Sequence, residues 1–303
     1  TSLSVDGYQY RCIVSGTCEP PDTSDSATLT INAGLFDFSS HTFTNCTATG
    51  RYGPTLSQCR SAYTTTWDED DANFNMSTQG IQRWTVPLDV KYRIIAAGAK
   101  GGALSGGGSG AIMAGTFTLT AGDILQIAVG QMGIEETYES GSAGGGGGGS
   151  YVVTESNVPM VIAGGGGGSG SPGNVGGNAI TTQTGSLTGA AGMGGTPGEG
   201  NSGAGFTGNG ILGAHGGTTI AYSFINGCVG GYGDADGGAG QGGFGGGGGD
   251  GHYDGGGGGG YSGGGTGDNT QPGYGAGSYN IGTSQSNSVG NTGHGYVTIE
   301  YLD

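Results

Sequence analysis

Glycine content is the feature that most constrains how this chain folds. Most of its 79 glycines lie after residue 100, several of them in the uninterrupted blocks 144–149, 164–168 and 255–260. Glycine has no side chain to bury, and it loses more backbone freedom on folding than any other residue. A region of this composition therefore stays disordered or folds without a conventional hydrophobic interior.

Apolar segments at the edges of the glycine blocks indicate an ordered region. Residues 123–129, 150–153, 159–163 and 295–301 are rich in Val, Ile and Tyr, which is typical of β-strands. A flexible linker contains little besides glycine and serine. We therefore predict an ordered region, with a linker or elastic low-complexity filler as the alternative.

Ordered polyglycine has one favourable conformation, an extended left-handed helix with three residues per turn. Its N–H and C=O groups point outward, so they need hydrogen-bond partners on neighbouring segments. Collagen solves this problem with a strict Gly-X-Y period and abundant proline, whereas this chain has pure glycine runs and only 8 prolines. We expect an intrachain bundle of polyglycine II helices.

Short β segments separated by turns predict an all-β fold for the rest of the chain. No apolar period of 3.6 residues occurs between residues 35 and 129, and the candidate strands are 36–38, 42–44, 81–86, 92–96, 115–119 and 124–129. The predicted organisation is an antiparallel β-sandwich over 35–140, a glycine-rich insertion over 141–290 and a closing strand over 291–303. Residues 1–32 resemble the last two strands of an immunoglobulin-like domain, because Tyr10 precedes Cys12 by two positions.

The charge distribution makes some partners improbable. The formal net charge is −16, and all seven lysines and arginines lie at or before Lys100, so nucleic acid is not an expected partner. A basic protein, a divalent cation or simple solubility can explain the acidity, and solubility is the favoured explanation. No apolar run of 18 residues occurs, so direct membrane insertion is not expected. Because the sequence begins with Thr1, we treat it as part of a longer protein.

The five cysteines favour disulfides over a zinc site. Cys12, Cys18, Cys46, Cys59 and Cys228 form no CxxC motif and no histidine-spaced ligand pattern. Cys46 and Cys59 flank a loop with glycine and proline that a bridge would close, which would indicate an oxidising, extracellular setting. Cys12 has three alternatives, namely pairing with Cys18, pairing with an upstream segment, or remaining free.

Motifs for catalysis or metal binding are weak in this sequence. The segment around Ser262 matches Gly-x-Ser-x-Gly, but it lacks the strand-turn-helix context of a nucleophile elbow. The histidines His41, His215, His252 and His294 are scattered, and residues 68–71 form an acidic run that favours a solvated turn over a Ca²⁺ site. Residues 230–236 do not match a Ca²⁺-binding nonapeptide repeat. We expect no enzyme activity, no cofactor and no metal site.

Two Asn-x-Ser/Thr sequons, at Asn45 and Asn75, are candidate glycosylation sites if the source is eukaryotic. Sequons of this kind also arise by chance in a chain with this content of Asn, Ser and Thr. Both positions therefore keep two interpretations.

A series of motifs across residues 42–301 resembles a known extracellular family. They include Thr42-Phe-Thr-Asn-Cys46, Gly53-Pro-Thr with Gln58-Cys59, Gly80-Ile-Gln-Arg-Trp84-Thr-Val-Pro87, Val129-Gly-Gln131, Val161-Ile-Ala-Gly164 and Gly293-His-Gly295. In this order they resemble the TNF-like, glycine-rich module in the ectodomains of the anaplastic lymphoma kinase and leukocyte tyrosine kinase receptors. The resemblance implies a β-sandwich with an inserted bundle of polyglycine helices and a Cys46–Cys59 disulfide. In those receptors the module is non-catalytic, binds basic cytokines and mediates receptor pairing.

These observations predict a rigid, non-enzymatic module of an extracellular surface or fibre protein that acts in display, binding or adhesion. It would sit at a cell surface or on a virion appendage, with a glycan, an envelope component or a basic protein as its target. The alternatives are a receptor-type ectodomain that binds a basic protein ligand and a structural subunit that self-associates into filaments.

Overall fold

The fold is all-β, as predicted. A computed structural model describes residues 7–16, 22–29, 34–103, 106–134, 143–171, 173–184, 187–233 and 240–302. In these ranges the strands are β1 (Gln9–Tyr10), β2 (Ile13–Val14), β3 (Asp22–Thr23), β4 (Ala27–Thr28), β5 (Ser40–Phe43), β6 (Phe74–Thr78), β7 (Ile81–Thr85), β8 (Val90–Ala97), β9 (Gly110–Leu119), β10 (Ile124–Ala128), β11 (Ser150–Thr154), β12 (Pro159–Ala163), β13 (Tyr279–Asn280), β14 (Thr283–Asn291) and β15 (Tyr296–Leu302). A helix α1 spans Leu56–Ala62, and a short 3-10 turn spans Phe224–Asn226.

Two antiparallel sheets share one hydrophobic core. The larger sheet has the order β13-β12-β11-β10-β7-β6, and the smaller has the order β14-β9-β8-β15-β5. Trp84 and Leu125 of the larger sheet belong to the same buried cluster as Tyr92, Ile94 and Ile299 of the smaller one. β15 lies between β8 and β5, so the last strand of the chain completes the smaller sheet.

The larger sheet is buried on both faces. In β11, Val152 points into the core shared by the two sheets, whereas Tyr151 and Val153 belong to a second buried cluster with Phe206 and Phe244 from the glycine-rich region. Strands covered on both sides have nearly continuous apolar sequences. This burial explains the uninterrupted apolar runs in β11 and β12, and it makes the glycine-rich region part of the folded body.

The glycine blocks are joined to other segments through their backbones in a repeating pattern. In block 144–149 every third amide donates to the same neighbouring segment: Gly144 and Gly147 to Ser169 and Gly166, Gly145 and Gly148 to Ile134 and Gln131, and Gly146 and Gly149 to Gly248 and Gly245. The N···O distances are 2.8 to 3.0 Å. Block 255–260 has the same pattern, with acceptors in 271–274, 144–147 and 201–204. A helix with three residues per turn has this period, so the polyglycine II bundle remains our interpretation of the region.

Space, rather than backbone conformation, requires glycine in these blocks. None of the glycines in 144–149 or 255–260, all of which the structure describes, has a positive φ angle. A Cβ atom on Gly257 would overlap with the carbonyl oxygen of Gly264 and would lie 2.8 Å from the nitrogen of Gly203. The backbones therefore approach too closely for any side chain.

Most predicted strands are present, with boundaries shifted by a few residues. Segments 81–86, 92–96, 115–119, 124–129, 150–153, 159–163 and 295–301 all coincide with strands of the two sheets. Segment 42–44 overlaps β5, which ends at Phe43. Segment 36–38 was predicted as a strand, and this prediction is wrong. Phe36 and Phe38 instead pack their rings against Trp67 at 5.5 and 6.3 Å, outside any ladder.

Several elements were not predicted from the sequence, among them α1, β6 and β14. Helix α1 is short, and its start is fixed by a capping box in which Thr55 and Gln58 bond each other's backbone N–H groups. β6 forms one edge of the larger sheet, and β14 consists mainly of Ser, Thr and Asn at an edge of the smaller sheet. β11, β12 and β13 fall inside 141–290, and β14 begins inside this range and ends at Asn291. The range thus contains strand residues of both sheets, and the domain boundaries stay a prediction.

The first residues form two small ladders. β1 pairs with β4 and β2 pairs with β3, both antiparallel. The β1–β4 pairing joins the two segments that resemble the last strands of an immunoglobulin-like domain. Tyr8, Tyr10, Ile13 and Val14 are all more than half exposed there. Among the described residues, no helix has the length and apolarity needed to cross a membrane.

We predict that the smallest possible side chain within a glycine block disrupts folding. Gly257→Ala should lower the melting temperature by roughly 10 °C or more, because the new methyl group must push paired backbones apart. Gly293→Ala is the matched control, since a Cβ there meets no atom within 4 Å. Circular dichroism melting measures both variants. Equal, small shifts for the two would show that the blocks are not closely packed.

Candidate functional site

The Cys46–Cys59 disulfide connects the loop after β5 to helix α1, with Cα atoms 4.9 Å apart. Beside it lies a buried polar network in which the Tyr63 hydroxyl donates to Gln82 Oε1 at 2.6 Å and accepts from the Thr44 N–H at 3.0 Å. Burial raises the pKa of Tyr63 to about 12. This hydroxyl therefore stays protonated, and the region has the character of a structural anchor.

The other cysteines show no bridge in the described structure. Cys12 is exposed with a free thiol, and Cys18, its candidate partner, lies outside the described residues. Cys228 is a buried free thiol in the second hydrophobic cluster, and burial raises its pKa well above the usual range. A thiol in this environment is unreactive because the thiolate is disfavoured.

Both sequon asparagines use their side-chain amides within the fold. Asn45 Nδ2 donates to the Ala48 carbonyl at 2.6 Å, and Asn75 Nδ2 donates to the Asp71 carbonyl at 2.8 Å. The nitrogen that would carry a glycan thus takes part in a local turn contact at each position. Glycosylation at Asn45 and Asn75 stays a prediction.

Ser262 lacks the exposure that a nucleophile needs. Its side chain is fully buried within the glycine-rich region, and its Oγ accepts a hydrogen bond from the Gly192 N–H at 3.3 Å. A nucleophile elbow presents its serine at an open surface. The Gly-x-Ser-x-Gly match is therefore part of the packed glycine network.

The histidines lie in four separate environments. His41 packs edge-on against Phe43, Tyr63 and Trp67, with ring centroids 4.5 to 5.0 Å apart. Burial lowers the pKa of His41 to about 4, although the negative charge of Asp68 acts to raise it. His294 Nδ1 accepts from the Met132 N–H at 3.0 Å. His252 packs against the ring of Tyr253, and His215 lies beside Glu199.

The acidic run at residues 68–71 is used by the protein itself. Asp71 pairs with Arg60 at 2.6 Å, and Asp70 accepts from the Ala72 N–H at 2.9 Å. Asp68 is only 1% exposed and bonds the Thr65 hydroxyl, so this part of the run is not a solvated turn. Asp234 and Asp236, from the rejected repeat, lie outside the described residues.

A pair of carboxyl groups lies in the glycine-rich region, where three loops meet. The side chains of Glu199 and Asp254 are within hydrogen-bonding distance of each other. Asp254 is 1% exposed, and burial, with Glu199 alongside, raises its pKa to about 7. Glu199 accepts from the Asn269 N–H at 3.2 Å and lies 3.6 Å from His215 Nδ1. Two carboxylates this close repel each other unless a proton or a cation lies between them.

An open groove of about 680 Å³ lies where the ends of β9, β10, β11 and β12 meet. Leu125 and Met160 line it as buried residues, and Val158 and Ile281 line it with half of their surfaces exposed. Apolar pockets with a few polar groups are the usual form of binding sites. This groove is the candidate binding site of the described structure.

Two carboxylates lie at the edge of the groove. Asp123 Oδ2 accepts from the Thr120 N–H at 3.2 Å, and Glu155 pairs with Arg83 at 2.6 Å. Both residues are exposed, and because Arg83 balances the charge of Glu155, Asp123 gives the groove an acidic rim beside its apolar walls.

Sequence reasoning did not identify this groove, because its residues come from turns and strand ends far apart in the chain. The available signal was Val158, an exposed apolar residue in the turn between two predicted strands. A single apolar residue in a turn does not distinguish a binding site from chance.

No protein-family model matches this sequence. A segment of 95 residues is 36% identical to leukocyte tyrosine kinase receptor from Mus musculus. The match covers 30% of this chain and 11% of the receptor, so the similar segment is a small part of both proteins. This finding supports the resemblance noted from the motifs and extends to no other part of the receptor.

Proposed function

We propose that this chain is a rigid, non-enzymatic extracellular module of a receptor-like surface protein, and that it displays a groove for a protein ligand. The observation that carries the proposal is the backbone network of the glycine blocks, which packs against the back of the larger sheet through Tyr151. The Tyr151 hydroxyl is within 3.1 Å of the carbonyl oxygens of both Gly245 and Gly260. These polar contacts join the glycine-rich region to the larger sheet.

An extracellular setting is supported by two independent observations. The Cys46–Cys59 disulfide is typical of proteins that fold in oxidising compartments. The similar segment in a tyrosine kinase receptor adds a second reason. The same similarity favours a receptor-type ectodomain. The alternatives are a fibre or adhesion module and a filament subunit that self-associates.

The charge of the module favours a basic ligand. The net charge is −16, and no lysine or arginine follows Lys100. Arg60 and Arg83 are already paired with carboxylates. The excess of acidic groups creates a negative potential that accelerates encounter with cationic partners. Ligands of another kind, such as a glycan or a cell-envelope component, would not depend on this charge.

A rigid display module should resist proteolysis. Proteinase K needs only an accessible backbone, and trypsin has no cleavage site after Lys100. We expect proteinase K under non-reducing conditions to leave a fragment that begins near Leu35 and continues to the C-terminal end. Reduction should make this fragment less resistant, because the loop closed by Cys46 and Cys59 is released. Mass spectrometry identifies the product. Rapid loss of 141–290 with the preceding sheet intact would contradict a rigid role.

Binding to a basic ligand should depend on the acidic rim of the groove. We expect a fluorescent oligolysine peptide to bind with an affinity that falls as salt increases, since exposed charge pairs are screened. The variant Asp123→Asn should bind roughly 3-fold more weakly or worse. Fluorescence anisotropy measures the affinities.

The matched control for this test is Asp37→Asn, which removes the same charge at an exposed position that does not line the groove. Equal losses of affinity in both variants would mean that only net charge attracts the peptide. Binding that is independent of salt, or absent, would favour a ligand that is not basic.

A further inference from the structure

Asp254 has a carboxylate oxygen without a hydrogen-bond donor in a place where water cannot reach it. Its Oδ1 accepts from the Gln271 N–H at 2.7 Å, but its Oδ2 is buried and receives no hydrogen bond from an N–H or hydroxyl group of the described residues. A buried carboxylate oxygen without a partner is costly, because it has lost its hydration and gained nothing in return. Such an oxygen indicates a missing positive charge or donor.

The side chain that Asp254 approaches is another carboxyl group. Glu199 lies within hydrogen-bonding distance of Asp254, and the negative charge of Asp268 acts on the same place. The protein supplies little positive charge in return. No lysine or arginine follows Lys100, and His215, on the Glu199 side, is 3.6 Å from that carboxylate. The fold thus collects acidic groups in a region of the chain that has no lysine or arginine.

The backbone fixes both carboxylates in place. The Glu199 carboxylate accepts from the Asn269 N–H, and the Gln271 N–H holds Asp254. The main chains of the three loops are also bonded, since the Glu199 N–H donates to the Gly267 carbonyl at 3.1 Å and the Gly255 N–H donates to the Gln271 carbonyl at 3.0 Å. Both carboxylates are therefore held in position by hydrogen bonds from backbone N–H groups.

We propose that Glu199 and Asp254 bind one divalent cation of the Ca²⁺ type, which links the loops around residues 199, 254 and 269. Carboxylate oxygens are the ligands that this class of cation prefers, and Ca²⁺ accepts flexible coordination completed by water and carbonyl oxygens. Among the described residues, no three His, Cys, Asp or Glu side chains converge in a metal-binding group. A site with two carboxylates is accordingly weak, in the millimolar range of extracellular Ca²⁺ modules.

The cation contributes stability by linking loops of the glycine-rich region that are otherwise held by neutral hydrogen bonds. Because a ligand that binds only the folded state raises its stability, Ca²⁺ should shift thermal unfolding upward. The alternative to a cation between Glu199 and Asp254 is a proton that the two carboxyl groups share. A shared proton requires no metal, so the two cases differ in their response to chelators.

The test compares thermal unfolding of the full chain at neutral pH in EDTA and in about 5 mM CaCl₂. This Ca²⁺ concentration suits a site of millimolar affinity. We expect Ca²⁺ to raise the melting temperature by about 2 °C or more. The variants Asp254→Asn and Glu199→Gln should lose this shift. Each retains a neutral amide that can donate to the remaining carboxylate, so both should fold in EDTA.

The control is Asp37→Asn, which removes an exposed carboxylate from another part of the chain and should keep the full Ca²⁺ shift. Isothermal titration with CaCl₂ provides a second readout, with one binding event in the wild-type chain and none in Asp254→Asn. The proposal is overturned if Ca²⁺ has no effect on the wild-type chain, as a shared proton predicts. It is also overturned if all variants respond equally, which would indicate general screening of the acidic surface.

Discussion

Hydrogen bonding between the backbones of glycine segments is the interaction on which the rest of this structure depends. Each buried N–H and C=O must find a partner, and an unpaired one costs about 1 to 3 kcal/mol. In the blocks 144–149 and 255–260, every amide donates to a carbonyl group outside its own block. Every third amide donates to the same neighbouring segment. A side chain at almost any of these positions would separate the backbones and leave groups unpaired. The long glycine blocks follow from this constraint.

The glycine-rich region also explains the larger sheet. Its outer face would expose Tyr151, Val153 and Ile162 if nothing covered it, and Phe206 and Phe244 from the glycine-rich region provide the cover. The buried aromatic side chains of that region, Phe206, Phe224 and Phe244, are thus concentrated where it meets the sheet. The rigidity that we propose for the module depends on this contact together with the backbone network, and so does the proposed display of the groove.

The sequence predicted the strands better than it predicted their surroundings. Strands such as β7, β8 and β10 were found because β-branched and aromatic residues are concentrated between turn residues. β14 was missed because Ser, Thr and Asn are also common in loops, and α1 was missed because seven residues give little helical period. The choice of partner for each glycine segment left no trace in the sequence, since identical residues carry no pattern. The groove and the Glu199–Asp254 pair were missed for a related reason, because each combines residues that only the tertiary fold brings together.

Amide hydrogen exchange tests the backbone network most directly, because exchange requires each hydrogen bond to open. Mass spectrometry can follow peptides that contain 144–149 and 255–260 beside peptides from the buried strands β8 and β9. We expect both glycine blocks to exchange as slowly as those strands and far more slowly than the exposed residues around Gly16. Exchange of the blocks at the rate of an unstructured chain would contradict it, since no packed network of paired amides could then exist.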